Sequence, residues 1–225
     1  MERPDTIVYR GRGNIYLNIT DRCSCSCSFC LAEFTDEVFG YDLTLHAEPD
    51  VEEIEQAIEL EFMDGPADEV VFCGLGEPTM RLDDVLAVTE WLRLRRIPSR
   101  LVTNGHGELL NPDRDVATEL AAAGLGAVTV SLNAADPATY DELCRPMFSK
   151  AYRAVIRFAQ RCVEEGIPTT MTALEQPGVD LEDCEALARA LGAEFRARYL
   201  VTPPAEREPS EGRASGGIQG EDPRR

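Results

Sequence analysis

Apolar residues recur along this chain in two rhythms that take turns. From Asn14 to Thr20 apolar and mixed positions alternate, a period of two that reads as a strand. Val51, Ile54, Ile58 and Phe62 then fall on one helical face, and Asp50 with Glu53 three residues on writes a capping box at its start. The alternation repeats. Further strands are predicted over 69–73, 100–103, 127–132, 168–174 and 194–201. Helices are predicted over 83–94, with Val85, Val88 and Leu92 aligned, over 111–124, briefly from Asp136-Pro137, over 149–166 and over 180–191. Asn111-Pro112 is expected to open one helix and Gly124 to close it, while Ser149 is expected to cap another.

Six strands alternating with helices of crossover length predict an α/β fold with a parallel sheet. Six units are too few for a closed eight-unit barrel, and no nucleotide-fold glycine fingerprint follows the first strand. In parallel β/α folds the chemistry collects at the C-terminal strand ends. Three unusual stretches fall there: a cysteine loop after the first strand, Gly74 to Thr79 after the second and Thr103-Asn104-Gly105 after the third.

Composition narrows the classes. A chain of 225 residues, 44% hydrophobic and 28% charged, suits one soluble domain, expected over 1–202, with a polar tail over 203–225 read as disordered. The net charge of −19, with Lys150 the single lysine, argues against a nucleic-acid surface. No apolar run is long enough to span a bilayer and the start lacks the apolar centre of a signal peptide, so the cytoplasm is expected, without membrane contact. Eight unevenly spaced cysteines do not read as a disulfide framework.

Half of those cysteines sit in Cys23-Ser24-Cys25-Ser26-Cys27-Ser28-Phe29-Cys30. Thiols packed this densely point to a soft metal or an iron–sulfur cluster. Cys23, Cys27 and Cys30 have the spacing C-x-x-x-C-x-x-C, which lets three sulfurs meet one face of a cubane and leaves its fourth iron open. Cys25 is set aside, because neighbours two apart on a tight loop converge poorly. A zinc knuckle would use four ligands, often in two separated pairs. Cys73, Cys144, Cys162 and Cys184 read as ordinary buried cysteines. His46 and His106 read as solvated loop histidines, and Arg145 and Arg198 as surface residues with the option of meeting a carboxylate.

The three-cysteine motif followed one strand later by Gly74-Leu75-Gly76-Glu77-Pro78 resembles the radical S-adenosylmethionine (radical SAM) superfamily. The resemblance implies an open, partial (β/α)6 barrel. It implies a 4Fe–4S cluster on Cys23, Cys27 and Cys30, with SAM chelating the open iron through its amino and carboxylate groups. By the same likeness Gly74, Gly76, Glu77 and Pro78 would meet the SAM amino group, and Thr103, Ser131 and Asn133 its carboxylate or ribose. Phe29 would lie near the adenine or simply pack in the core, and plain turn chemistry is the other account of Thr103-Asn104-Gly105. The implied activity is reductive cleavage of SAM to a 5′-deoxyadenosyl radical that abstracts hydrogen from an unknown substrate, with a flavodoxin or ferredoxin as reductant.

Tyr16-Leu17-Asn18-Ile19-Thr20, Gly40-Tyr41-Asp42-Leu43 with Glu48-Pro49, and Val71 to Thr79 look most like the TatD-associated radical SAM proteins. That likeness implies a functional link to a TatD-type hydrolase. With no cysteine-rich stretch after Cys184, a single cluster is expected. The compact size also resembles glycyl-radical-enzyme-activating enzymes, which act on a protein partner, and deazapurine-forming enzymes. From another class, an electron-transfer iron–sulfur protein or a structural zinc protein would need a closed site, and would leave Gly74 to Thr79 without a role.

Overall fold

The computed structural model describes residues 5–199. Strand β1 (Val8–Gly11) turns back on β2 (Asn14–Leu17) as an antiparallel hairpin. The turn needs two positive φ angles, 50° at Arg12 and 85° at Gly13, and glycine takes the second without strain. After the cysteine loop a small hairpin forms from β3 (Glu37–Val38) and β4 (Tyr41–Asp42). The remaining strands, β5 (Val70–Phe72), β6 (Ser99–Thr103), β7 (Ala127–Ser131), β8 (Thr169–Leu174) and β9 (Glu194–Arg198), add in parallel one after another. The sheet order is β1-β2-β5-β6-β7-β8-β9, so six parallel strands run from β2 to β9, as the alternation predicts. This is the parallel α/β sheet of a partial barrel.

The crossovers are α1 (Val51–Asp64), α2 (Leu82–Leu94), the single turn α3 (Gly107–Leu110) with α4 (Val116–Ala123), α5 (Pro137–Cys144) with α6 (Ala151–Glu164), and α7 (Leu181–Ala190). The expected capping box is present: Glu53 N–H donates to the Asp50 carboxylate at 2.9 Å and Asp50 N–H to the Glu53 carboxylate at 2.8 Å. Alternate strand residues decide the two faces. Ile15, Leu17, Val70, Phe72, Leu101, Val128, Val130 and Met171 are fully buried in one core with Ile54, Ile58, Val88, Leu92, Val155 and Phe158 from the helices. Burying each such side chain contributes about 1.5–3 kcal/mol, and Phe158→Ala would cost about 3–5 kcal/mol. The other face mixes apolar Val71 and Val102 with polar groups: Arg100 on β6 pairs with Glu69 at 2.6 Å and reaches Thr129 Oγ1 of β7 at 3.4 Å.

Three local expectations are corrected. Asn111-Pro112 does not open a helix: Asn111 Nδ2 donates to the Gly107 and Thr79 carbonyls at 2.9 and 3.0 Å, closing α3, and Asp115 caps α4. Ser149 does not cap α6, whose N-cap is Lys150 in the left-handed region at φ 63°. That helix is held by its buried face of Ala151, Ala154, Val155, Phe158, Ala159 and Cys162, and needs no side-chain cap. Residues before Asn14, where no strand is predicted, supply β1. The domain end at 202 and the tail over 203–225 lie outside the described residues. Among the described residues no helix is long and apolar enough to cross a membrane.

Candidate active site

Three loops at the C-terminal strand ends are laced together before any side-chain chemistry is considered. The loop after β5 runs along the chain leaving β2: Cys73 N–H donates to the Leu17 carbonyl at 3.1 Å, Gly76 N–H to Thr20 at 3.2 Å and Glu77 N–H to Arg22 at 2.8 Å. This contact is what requires the glycines. A Cβ on Gly74 would stand 2.3 Å from Asn18 Oδ1, and one on Gly76 2.4 Å from the Thr20 carbonyl oxygen and 2.6 Å from that of Arg22. In the fold Gly74 and Gly76 serve close approach between two of the protein's own loops.

Glu77 ties this pair to the third loop. It is buried, and its Oε1 accepts from Thr79 N–H at 3.0 Å, Thr79 Oγ1 at 2.7 Å and Thr103 Oγ1 at 2.7 Å, while Oε2 accepts from Asn104 N–H at 2.7 Å. Burial pushes its pKa up against these hydrogen bonds, which favour the charged form. Pro78 opens the short 3-10 turn that follows and is buried with Thr79. Thr103 also accepts from Gly105 N–H at 3.0 Å, so its hydroxyl is engaged on both sides.

The cysteine loop lies over these strand ends. Cys23, Cys27 and Cys30 are electrostatic neighbours of one another, and each keeps some solvent contact. Hydrogen bonds from the Cys144 and Cys25 thiols hold the Cys27 pKa down at about 4, which favours the thiolate, the form in which a cysteine can bind a soft metal. Cys25 is pushed the other way, because its proton serves Cys23 and Cys27 on either side. Among the described residues no three His, Cys, Asp or Glu side chains converge on a point that holds a single metal ion. A cubane asks for something else: its three ligating sulfurs bind different irons, and so stand farther apart than ligands around one ion. Three thiols on one loop, near one another and open to solvent, fit that group.

Between the cysteines, Ser24 is buried and tethered. Its Oγ lies 2.9 Å from His106 Nδ1 and accepts from Asn104 Nδ2 at 2.9 Å, and His106 Nε2 lies 2.9 Å from Tyr140 Oη. His106, expected as a solvated loop histidine, is fully buried. Asn133, beyond β7 at φ 61°, donates through Nδ2 to Cys144 Sγ at 3.5 Å and accepts from Arg198 Nη2 at 2.7 Å. Arg198 is therefore not the surface residue expected, and Cys144, buried like Cys162 and Cys184, also borders the site. Ser131 ends β7 half-buried, and Phe29 packs partly buried against the core. Arg145 is exposed at the end of α5, and His46 is exposed with Nδ1 2.6 Å from Asp5.

The model of the Radical SAM superfamily matches residues 17–191, which take in the cysteine loop and the parallel strands β5 to β8. The chain belongs to the radical SAM superfamily. Its cofactors are accordingly a 4Fe–4S cluster and SAM, and it is an enzyme. Among radical SAM relatives, a GTP 3′,8-cyclase from Streptomyces coelicolor is 30% identical over 199 residues, covering 86% of this chain and 54% of its own length. One from Corynebacterium glutamicum is 28% identical over 192 residues, covering 81% and 48%. The chain thus spans about half the length of the curated relatives it matches. Streptococcus suis SuiB bound to S-adenosylmethionine superposes with a TM-score of 0.64 at 17% identity, over 84% of this chain and 41% of that one. AnSMEcpe with bound AdoMet gives 0.60 at 12% identity, over 87% and 53%. At these identities the two radical SAM structures show the shared fold.

Sequence reasoning missed Ser24, His106, Tyr140 and the inward turn of Arg198. A weak signal existed for two of them: Ser24 sits between cysteines, and His106 follows Asn104-Gly105 at a strand end.

Proposed function

We propose that this radical SAM enzyme holds its cluster on Cys23, Cys27 and Cys30 and uses it to cleave SAM reductively. The observation that carries the assignment is the arrangement of those three thiols as mutual electrostatic neighbours on one loop, each with some solvent contact. When bound, the cluster and SAM supply a one-electron cleavage of the sulfonium to methionine and a 5′-deoxyadenosyl radical, which takes a hydrogen atom from the substrate.

The chain's own residues bind and orient. The backbone of Gly74 to Pro78, fastened to the cysteine loop and braced by Glu77, presents its carbonyls to the SAM amino group. Thr103 takes part by holding Glu77. Ser131 and Asn133 would meet the carboxylate or ribose when SAM is bound, and Phe29 the adenine. A flavodoxin or ferredoxin supplies the electron. The motif strings shared with TatD-associated proteins support a link to a TatD-type hydrolase, and the names of the curated relatives make GTP the first substrate to try.

Anaerobic reconstitution followed by reduction tests the reading. It expects one 4Fe–4S cluster per chain and 5′-deoxyadenosine formed from SAM. Zinc held tightly in place of iron, with no SAM turnover, would refute it.

A further inference from the structure

Arg198 is an inward-facing cation with no carboxylate partner among the described residues. The other well-buried arginines have carboxylates: Arg81 pairs with Asp84 at 2.7 Å, Arg100 with Glu69 at 2.6 Å and Arg10 with Glu61 at 2.8 Å. A chain with 41 acidic and 22 basic residues has carboxylates to spare, yet no ion pair among the described residues involves Arg198. Its electrostatic neighbours are the Cys73, Cys27 and Cys144 thiols and a like charge, Arg196, and burial lowers its pKa. A guanidinium drawn out of solvent without a carboxylate to fill its fork is costly, and an anionic ligand oxygen would fill it.

Unpartnered polar atoms gather at the same place. Five buried side-chain nitrogen or oxygen atoms among the described residues lack a hydrogen-bond partner, and three of the five are Arg198 Nε, Gln176 Nε2 and Thr172 Oγ1. Two of these are N–H donors. All three residues come from the ends of the adjacent strands β8 and β9: Leu174 pairs in register with Arg198, Thr172 shares their face, and Glu175 N–H donates to the Arg198 carbonyl at 2.8 Å. Unsatisfied buried donors in a folded protein call for an acceptor that is absent from the chain. Asn133 holds the guanidinium from one side, so the group is oriented in advance.

We infer that Arg198 and Gln176, with Thr172, form a subsite for an anionic oxygen group of the substrate, a carboxylate or a phosphate. This rests on the radical SAM reading, and it narrows the substrate to an anion that approaches from the β8–β9 side of the strand ends. The other carboxylate that reaches the strand ends is that of SAM, and the measurement separates the two sources.

The full-length, cluster-loaded protein is saturated with SAM and titrated with inorganic pyrophosphate and with malonate at constant ionic strength, by calorimetry and thermal shift. Wild type is expected to bind at least one of the two. Arg198→Gln is expected to bind it about tenfold more weakly, Arg198→Lys to recover part of the loss, and SAM affinity to stay within about threefold. Gln176→Leu removes the second donor without disturbing the buried charge, and should weaken the probe in the same direction if Arg198→Gln does not fold. Equal binding in wild type and variants, or binding of neither probe, overturns the subsite. A tenfold loss of SAM affinity in Arg198→Gln assigns the guanidinium to SAM and also overturns it. Formation of 5′-deoxyadenosine by wild type is read in parallel, so a failure of the radical SAM reading shows itself separately.

Discussion

Ser24 Oγ and His106 Nδ1 lie 2.9 Å apart, both side chains fully out of solvent, and through this contact the middle of the cysteine loop is anchored to the end of β6. His106 passes the anchor on to Tyr140 of α5 at 2.9 Å, and Asn104 adds a second donor to Ser24. Burial holds the imidazole pKa down at about 4, so at neutral pH the ring is uncharged, with one nitrogen accepting and the other donating. His106→Phe fills the space but leaves Ser24 and Tyr140 without their partner, at a cost of about 1–3 kcal/mol for each buried group left unsatisfied. The expected outcome is a lower melting temperature and faster loss of iron from the reconstituted protein. Iron release to a chelator, followed beside circular dichroism, checks it; wild-type release kinetics would show that the anchor does not steady the loop.

Cys25→Ala should keep iron near the wild-type level, since three thiols suffice for a cluster with one open iron and the Cys25 thiol keeps its proton between Cys23 and Cys27. Replacing Cys23, Cys27 or Cys30 with Ala should abolish both iron and SAM cleavage. Iron per chain and 5′-deoxyadenosine yield across the four variants decide it. A Cys25→Ala protein as empty as the others would mean a closed site and a different function.

Gly76→Ala places a methyl group 2.4 Å from one backbone carbonyl oxygen and 2.6 Å from another, neither of which yields like a flexible side chain. The loop after β5 must lift away from Thr20 and Arg22, at about 1–3 kcal/mol. Glu77 moves with it. SAM affinity by calorimetry is expected to fall while iron content changes less.

Glu77→Gln exchanges one acceptor oxygen for an NH2 group that must face a donor, either Asn104 N–H or the set from Thr79 and Thr103. Stability should drop by about 1.5–3 kcal/mol. Because burial raises the carboxyl pKa in the fold, the stability linked to Glu77 is present below the ordinary glutamate pKa of about 4.3 and is lost as pH rises through the raised value. The gap between wild type and Glu77→Gln should therefore narrow with rising pH. Urea denaturation across that range measures it, and a gap that widens instead would mean that the carboxyl is held ionised.

Much of this protein could be read along the chain because the signals are local. The six parallel strands follow from short apolar runs between turn residues, and α1 from one apolar face with its Asp50–Glu53 cap. The radical SAM motifs are contiguous strings, so Cys23, Cys27, Cys30 and Glu77 stand out without any fold. What the tertiary structure alone decided concerns residues whose partners are far away in sequence. His106 is buried because Ser24 lies 82 positions before it and Tyr140 34 positions after it. Gly74 and Gly76 are bound to be glycine by Asn18, Thr20 and Arg22, on a neighbouring strand's exit and not on their own. Arg198 faces Asn133 from 65 positions away, and nothing near it in the sequence told a surface arginine from an inward one. Hydrophobic period and turn chemistry are set by a few consecutive residues, whereas burial and hydrogen-bond satisfaction depend on which loops six parallel strands bring to the same end.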